Sequence, residues 1–192
     1  VPARNPRRAP RADARRNVEA ILRAGETCLS RDPESSVAAI AAEAGVGRVT
    51  LYGHFPSRAD LVGAVFAEVV RSSNEVLEAV DTSGDPEPAL RRLVASSWRI
   101  VHRYRSILAA AERELSPEQV RTTHDTHLLR LTDLLERGRQ TGDFRADVPT
   151  SWLAATCMSL MHAAAAEVNA GRLTDEVAAY AVIETVVAAC RH

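Results

Sequence analysis

The chain has 192 residues, 46% of them hydrophobic, 26% charged and 4% aromatic, with 24 basic against 25 acidic side chains. An apolar fraction near the globular average excludes a disordered chain, and the length suits one domain or two small ones. No apolar run approaches the roughly 20 residues needed to span a bilayer, and the arginine-rich first residues lack the apolar stretch of a secretory signal. The three cysteines, Cys28, Cys157 and Cys190, lie in or beside apolar helical patterns, which suits reduced thiols in a cytoplasmic protein.

The net charge of −1 is unevenly distributed. Residues 1–60 hold 10 arginines against 7 acids, whereas residues 61–192 hold 14 against 18. Before residue 17, Arg4, Arg7, Arg8, Arg11, Arg15 and Arg16 face only Asp13. A basic end on a neutral chain is the footprint expected of a nucleic-acid partner. Every basic residue is arginine, which together with the abundant alanine reads as compositional bias more than functional need.

In chain order, Val1–Arg11 reads as a tail in which Pro2, Pro6 and Pro10 prevent a helix. Ala14–Leu29 then places Val18, Ile21, Leu22, Gly25 and Leu29 on one face at helical spacing. Arg31-Asp32-Pro33 ends that helix. A short second one is expected from the Ser35/Ser36 cap to Gly45, presenting Val37, Ile40, Ala41 and Ala44 inward. A third runs from about Gly47 to His54, and a long fourth, capped by Ser57, buries Leu61, Val65, Val69 and Leu77 before ending near Val80.

Asp81-Thr82-Ser83-Gly84-Asp85-Pro86 has the composition of a loop. Beyond it the spacing predicts up to five helices, at about Glu87–His102, Arg103–Leu115, Pro117–Thr141, Val148–Ala170 and Thr174–Arg191. Ser116-Pro117-Glu118-Gln119 combines a capping-box spacing with proline at the first helical position. No sustained period-2 alternation signals a strand. The fold class is therefore all-α.

Two short helices joined by Gly45-Val46-Gly47 suit a helix-turn-helix, in which the second helix enters the DNA major groove. On spacing alone they equally suit an αα-turn in an unrelated bundle. Either way, Ile40, Val46, Leu51 and Phe55 are expected to close a small core against the first helix.

The string from Ile40 to Leu61, IAAEAGVGRVTLYGHFPSRADL, separates the two readings. It resembles the DNA-binding signature of the tetracycline-repressor (TetR) family of transcription regulators: an Ile-Ala…Ala-Gly-Val turn, Thr-Leu-Tyr-x-His-Phe, then a basic residue and a leucine. The resemblance implies a helix-turn-helix domain over residues 12–60, after the arginine-rich tail 1–11, and a larger helical ligand-binding and dimerisation domain over 61–192. Thr50, Tyr52, His54 and Arg58 match family positions that hold DNA phosphates, a role their donor groups suit. Arg48 and Val49 match base-facing positions; arginine pairs bidentately with guanine and valine can touch a thymine methyl. Ala38 matches a position near the bases but offers only apolar contact.

Three positions depart from the family pattern. Gly47 stands where a polar residue is common, Gly53 replaces a larger residue, and Leu29 sits where phenylalanine is usual. The two helix glycines leave fewer direct contacts to DNA. The arginine tail has two readings, an arm entering the adjacent minor groove or a solvated extension.

For the second domain, the resemblance implies that the last two helices pair with those of a second copy. Leu153, Cys157, Leu160, Met161, Ala164 and Val168 form one stripe, and Val177, Tyr180, Ala181, Val187 and Ala188 another, although intrachain core is the alternative reading. Among these, Leu153, Cys157, Leu160, Met161, Ala164, Val168, Tyr180 and Val187 are the dimerisation candidates. Large or polar groups interrupting apolar faces make Trp98, His102, Tyr104, His124, His127, Leu131, Trp152, Met158 and His162 candidates for an effector pocket. His124 and His127 share a helix face, but without the HExxH spacing or a third ligand no metal is expected. No cofactor is implied.

No Gly-x-Ser-x-Gly elbow, phosphate-binding loop or convincing acid pair supports an enzyme. The expectation is a homodimeric, ligand-responsive repressor of a pseudo-palindromic, double-stranded DNA operator. Its effector is an unidentified small molecule, it has no membrane partner, and the fourth helix is the natural lever between its domains. The alternative is a helical carrier or interaction module with a vestigial DNA-binding motif.

Overall fold

The computed structural model describes the backbone of residues 9–123 and 125–191 and the side chains of residues 13–123 and 128–191. Its described residues form ten α-helices and no strand: α1 (Ala9–Arg31), α2 (Val37–Glu43), α3 (Arg48–His54), α4 (Arg58–Glu78), α5 (Pro86–Arg103), α6 (Arg105–Glu114), α7 (Pro117–Thr123), α8 (Asp125–Thr141), α9 (Thr150–Asn169) and α10 (Asp175–Cys190). The helices fall into two compact units. One comprises the chain through Val69 together with Ser106–Ser116; the other comprises Val70–Arg105 together with the chain from Pro117.

In the first unit, Ile21 and Leu29 of α1, Ile40 of α2, Leu51 of α3 and Leu61, Val62 and Val65 of α4 are almost completely buried. Each large aliphatic side chain so withdrawn from water contributes about 1.5–3 kcal/mol. Phe55 joins this core, whereas Val46 is half-buried. Where α1 meets α4, a Cβ on Gly25 would lie 2.5 Å from Val65 Cγ2. Only glycine fits there.

The second unit packs α5 against α8, α9 and α10, with α9 also meeting α8 and α10. Leu90, Val94, Leu135, Phe144, Val186 and Cys190 are among its buried residues. The loop after α4 is held by side chains of this unit: Arg92 donates to the carbonyls of Asp81 and Ser83 at 2.8 and 2.9 Å, and Arg130 donates to that of Val80. Arg139 likewise binds the carbonyls of Val148 and Ala146. One guanidinium carries five donors, so a single arginine can satisfy several loop carbonyls. The arginines therefore have structural work that the compositional reading did not assign.

Several boundaries differ from the sequence expectation. Helix α1 begins at Ala9 and contains Pro10, because proline is tolerated in a first turn where its missing N–H has no partner to lose. Residues 1–8 of the expected tail lie outside the described residues. The helix expected over 117–141 is described as α7 and α8 on either side of His124, itself outside the described residues. Helix α9 starts at Thr150 after the N-cap Pro149, which disfavours helical geometry at Val148. Tyr104 ends α5, so α6 starts two residues later than expected.

Candidate functional site

The turn between α2 and α3 is built from its local chemistry. Ser36 is the N-cap of α2, its side chain accepting from the Ala39 N–H at 3.1 Å. After α2 the Gly45 N–H donates to the Ala42 carbonyl and the Val46 N–H to that of Ala41, the paired bonds of a Schellman turn. Gly45 has φ 68°, a left-handed conformation that glycine adopts without steric penalty. Gly47 caps α3 with extended backbone and no side-chain bond.

At the next junction, Ser57 and Asp60 cap each other. The Asp60 N–H donates to Ser57 Oγ at 3.1 Å, and the Ser57 N–H donates to Asp60 Oδ2 at 3.0 Å. Helix α4 thereby starts with two otherwise unpaired donors satisfied.

Leu51 anchors the inner face of α3, leaving Arg48, Val49, Thr50, Tyr52 and Gly53 exposed and His54 half-buried. Val49 is 88% exposed. Ala38 is exposed on α2, and Gly47 at the turn. This outward face carries a guanidinium, an apolar branched side chain, a hydroxyl and a phenol, suited to base edges, thymine methyls and phosphate oxygens.

Arg58 is placed differently. Its Nε donates to Glu114 Oε1 at 2.8 Å, one terminal nitrogen donates to the Pro33 carbonyl at 2.9 Å and the other to that of Ser35. The side chain is 26% exposed and that of Glu114 30%. This guanidinium bridges the α1–α2 turn and the end of α6 within the first unit, with three of its donors committed there. Glu114 was not among the residues singled out from the sequence, because nothing local distinguishes it from any other acid ending a helix.

The second unit brings together only part of the expected pocket set. Trp98 is buried and donates from Nε1 to Asp175 Oδ1 at 3.1 Å. His102 Nδ1 lies 2.9 Å from the same oxygen, and its ring centroid is 6.0 Å from that of Trp98. Asp175, in the first turn of α10, was missed because in sequence it reads only as a helix-start acid. Leu131 is buried, Met158 and His162 are half-buried, and half-buried Tyr104 has the Arg103 guanidinium 5.2 Å from its ring centroid. Trp152 is 64% exposed at the start of α9. The His127 side chain and all of His124 lie outside the described residues.

Of the residues expected to face a second copy, Leu153, Cys157, Met161, Ala164 and Val187 are buried within this chain. Core packing claims them because α9 lies against α8, α5 and α10. Leu160 and Val168 are half-buried, whereas Tyr180 is 71% exposed, with exposed Val177 three residues earlier on α10.

A short capped helix, a glycine turn and a second helix with a polar outer face define a helix-turn-helix protein. Residues 21–65 match the model of the bacterial regulatory proteins of the tetR family. Over those residues the chain is similar to the DNA-binding part of that family. It is 43% identical over 82 residues to the HTH-type transcriptional repressor LfrR of Mycolicibacterium smegmatis, a match covering 42% of this chain and 43% of that protein. The chain thus aligns with less than half the length of that relative. Among solved structures, LfrR from Mycobacterium smegmatis in complex with proflavine is similar, with TM-score 0.63 and 26% identity over 93% of this chain and 98% of that one. FadR from Bacillus subtilis in complex with stearoyl-CoA shares the fold, with TM-score 0.68 and 18% identity over 90% and 99% of the two chains.

Proposed function

We propose that this protein is a homodimeric transcriptional repressor that binds a pseudo-palindromic DNA operator through α3 and is released by a small-molecule effector. The observation that carries the reading is the outer face of α3, where Arg48, Val49, Thr50 and Tyr52 stand exposed on a helix anchored by Leu51 and oriented by the Gly45 turn. DNA binding is assigned to residues 12–60, and ligand binding and pairing to residues 61–192. Arg48 reads a guanine in the half-site, while Thr50, Tyr52 and His54 fix register on the phosphates.

Pairing is supported by Tyr180 and Val177, exposed at i and i+3 on α10, and by Trp152, exposed on α9. Apolar groups at that spacing share one helix face. A dimer also meets the geometric need of two recognition helices set one DNA turn apart, roughly 34–36 Å. Effector response is supported by the similarity to LfrR, whose structure holds proflavine, and by the Trp98–His102–Asp175 group. Release then works by population shift: the effector must bind more tightly to the conformer that fits DNA poorly.

Selection of bound sequences from random duplex DNA tests this reading. The expected product is an inverted repeat, and the complex should contain two copies of the chain by light scattering. Addition of proflavine, the first effector to try, is expected to lower operator occupancy. Recovery of no enriched sequence would remove the function.

A further inference from the structure

We infer that Arg58 is a positioning residue for DNA recognition, locked by Glu114 into a brace that sets the angle of α2 and, through it, of α3. The inference rests on the DNA-binding reading above and departs from the phosphate contact that the sequence motif implies for this position.

Three observations converge. First, the Arg58 donors go inward to Glu114 Oε1 and to the Pro33 and Ser35 carbonyls. Those carbonyls flank the turn that ends in Ser36, the N-cap of α2. Second, that turn is held by further bonds: Ser35 Oγ donates to the Cys28 carbonyl at 3.0 Å, the Glu34 N–H donates to Asp32 Oδ1 at 2.9 Å, and Arg113, beside Glu114, pairs with Glu34 at 2.6 Å. Third, Leu115 Cδ2 would sit 3.4 Å from a Cβ on Gly63, so the end of α6 also packs closely on α4. A planar guanidinium with three fixed partners leaves one orientation for the turn. Lysine, a point charge on a flexible stem, could not make that set of bonds.

The sign of one substitution separates this role from a phosphate contact. If Arg58 were held in reserve for DNA, Glu114→Gln would free it and remove a negative charge from the DNA-binding unit, and both changes raise affinity. A brace predicts the opposite. Operator affinity should fall about tenfold in E114Q, the equivalent of one charge-assisted hydrogen bond. Arg58→Gln, which also removes the bonds to the Pro33 and Ser35 carbonyls, should fall at least as far with an unchanged slope of log K against log salt, whereas a lost phosphate contact would reduce that slope by about 0.9. The double variant should be no weaker than R58Q alone, because Arg58→Gln already removes the interaction with Glu114.

The same brace is measured without DNA. Amide hydrogen exchange over residues 36–44 and 48–54 should quicken in E114Q while α10 stays protected. If E114Q loses its helical circular dichroism, Glu114→Asp replaces it, with a smaller loss of affinity expected. Tighter DNA binding by either Glu114 variant, a reduced salt slope in R58Q, or unchanged exchange in α2 and α3 would overturn the inference. A wild-type chain that binds no duplex would instead overturn the DNA-binding reading, and the exchange measurement would still decide the brace.

Discussion

Trp98 on α5 and Asp175 in the first turn of α10 are joined by a hydrogen bond from the indole N–H to Oδ1, 3.1 Å long, and His102 Nδ1 approaches the same oxygen to 2.9 Å. The bond fastens two helices that also share the Arg91–Glu184 ion pair. Replacing Trp98 by Phe keeps most of the packing and removes the donor. It should cost about 1–2 kcal/mol in urea unfolding, toward the low end for bonds to charged groups because Asp175 is half exposed. W98F also leaves Trp152 as the sole tryptophan, so emission should shift to the red and acrylamide quenching should rise. An unchanged spectrum would mean that Trp98 is not buried.

Acid should loosen the α5–α10 contact. Bonding from Arg191, with a smaller contribution from Arg91, holds the Glu87 carboxyl below the usual carboxylate range, and bonding from Arg91 does the same for Glu184. A depressed folded-state pKa gives stability that is present above the unfolded value, about 4.3 for glutamate, and is lost as pH falls through the folded value. The urea midpoint should therefore fall below about pH 4.5. The double variant Glu87→Gln with Glu184→Gln should show a shallower fall over that range, and an identical slope would contradict the assignment.

The glycines of the helix-turn-helix should respond in opposite directions to alanine. Gly45→Ala forces a side chain into left-handed backbone and should cost about 1–2 kcal/mol. Gly53 lies within α3, and a Cβ there meets nothing within 4 Å. Gly53→Ala should therefore stabilise the fold by about 0.5–1 kcal/mol. Thermal unfolding of both variants checks the pair.

Two thiols should be inert in the folded protein. Cys157 and Cys190 are buried, and the Cys157 thiol is held in its protonated form by donating to Cys190 and by burial. Burial also raises the Cys28 thiol, which is only half-buried. The bond from Cys157 lowers the Cys190 thiol, so its protection rests on burial alone. A thiol reagent at pH 8 should label Cys28 slowly and leave the other two until urea is added. Rapid labelling of Cys157 would contradict its burial.

Much of this was legible in the sequence because its determinants are local. Ser36, Gly45 and Ser57 act within a few residues of themselves, and apolar spacing alone marked Ile21, Leu29, Ile40, Leu51 and Leu61 as core. The outward roles of Arg48, Val49, Thr50 and Tyr52 came from the family resemblance, and Leu51 was expected inward as core. Long-range partnerships were not legible. No local pattern pairs Arg58 with Glu114, 56 residues away, or Trp98 with Asp175, 77 residues away. The stripe on α9 was ambiguous for a related reason: Leu153, Cys157 and Met161 are apolar whether they face their own chain or another, and only the packing of α5, α8 and α10 decides.

The most direct test of the central claim is fluorescence anisotropy on the selected duplex, comparing the wild-type chain with Arg48→Ala between about 50 and 200 mM salt. The wild type should show log K falling linearly with log salt, by about 0.9 per phosphate contacted. R48A should keep that slope while losing about 1–3 kcal/mol of preference at a single base pair. Wild-type binding that is absent or indifferent to salt, or an R48A variant that discriminates bases as well as the wild type, would contradict the assignment of α3 as the recognition helix.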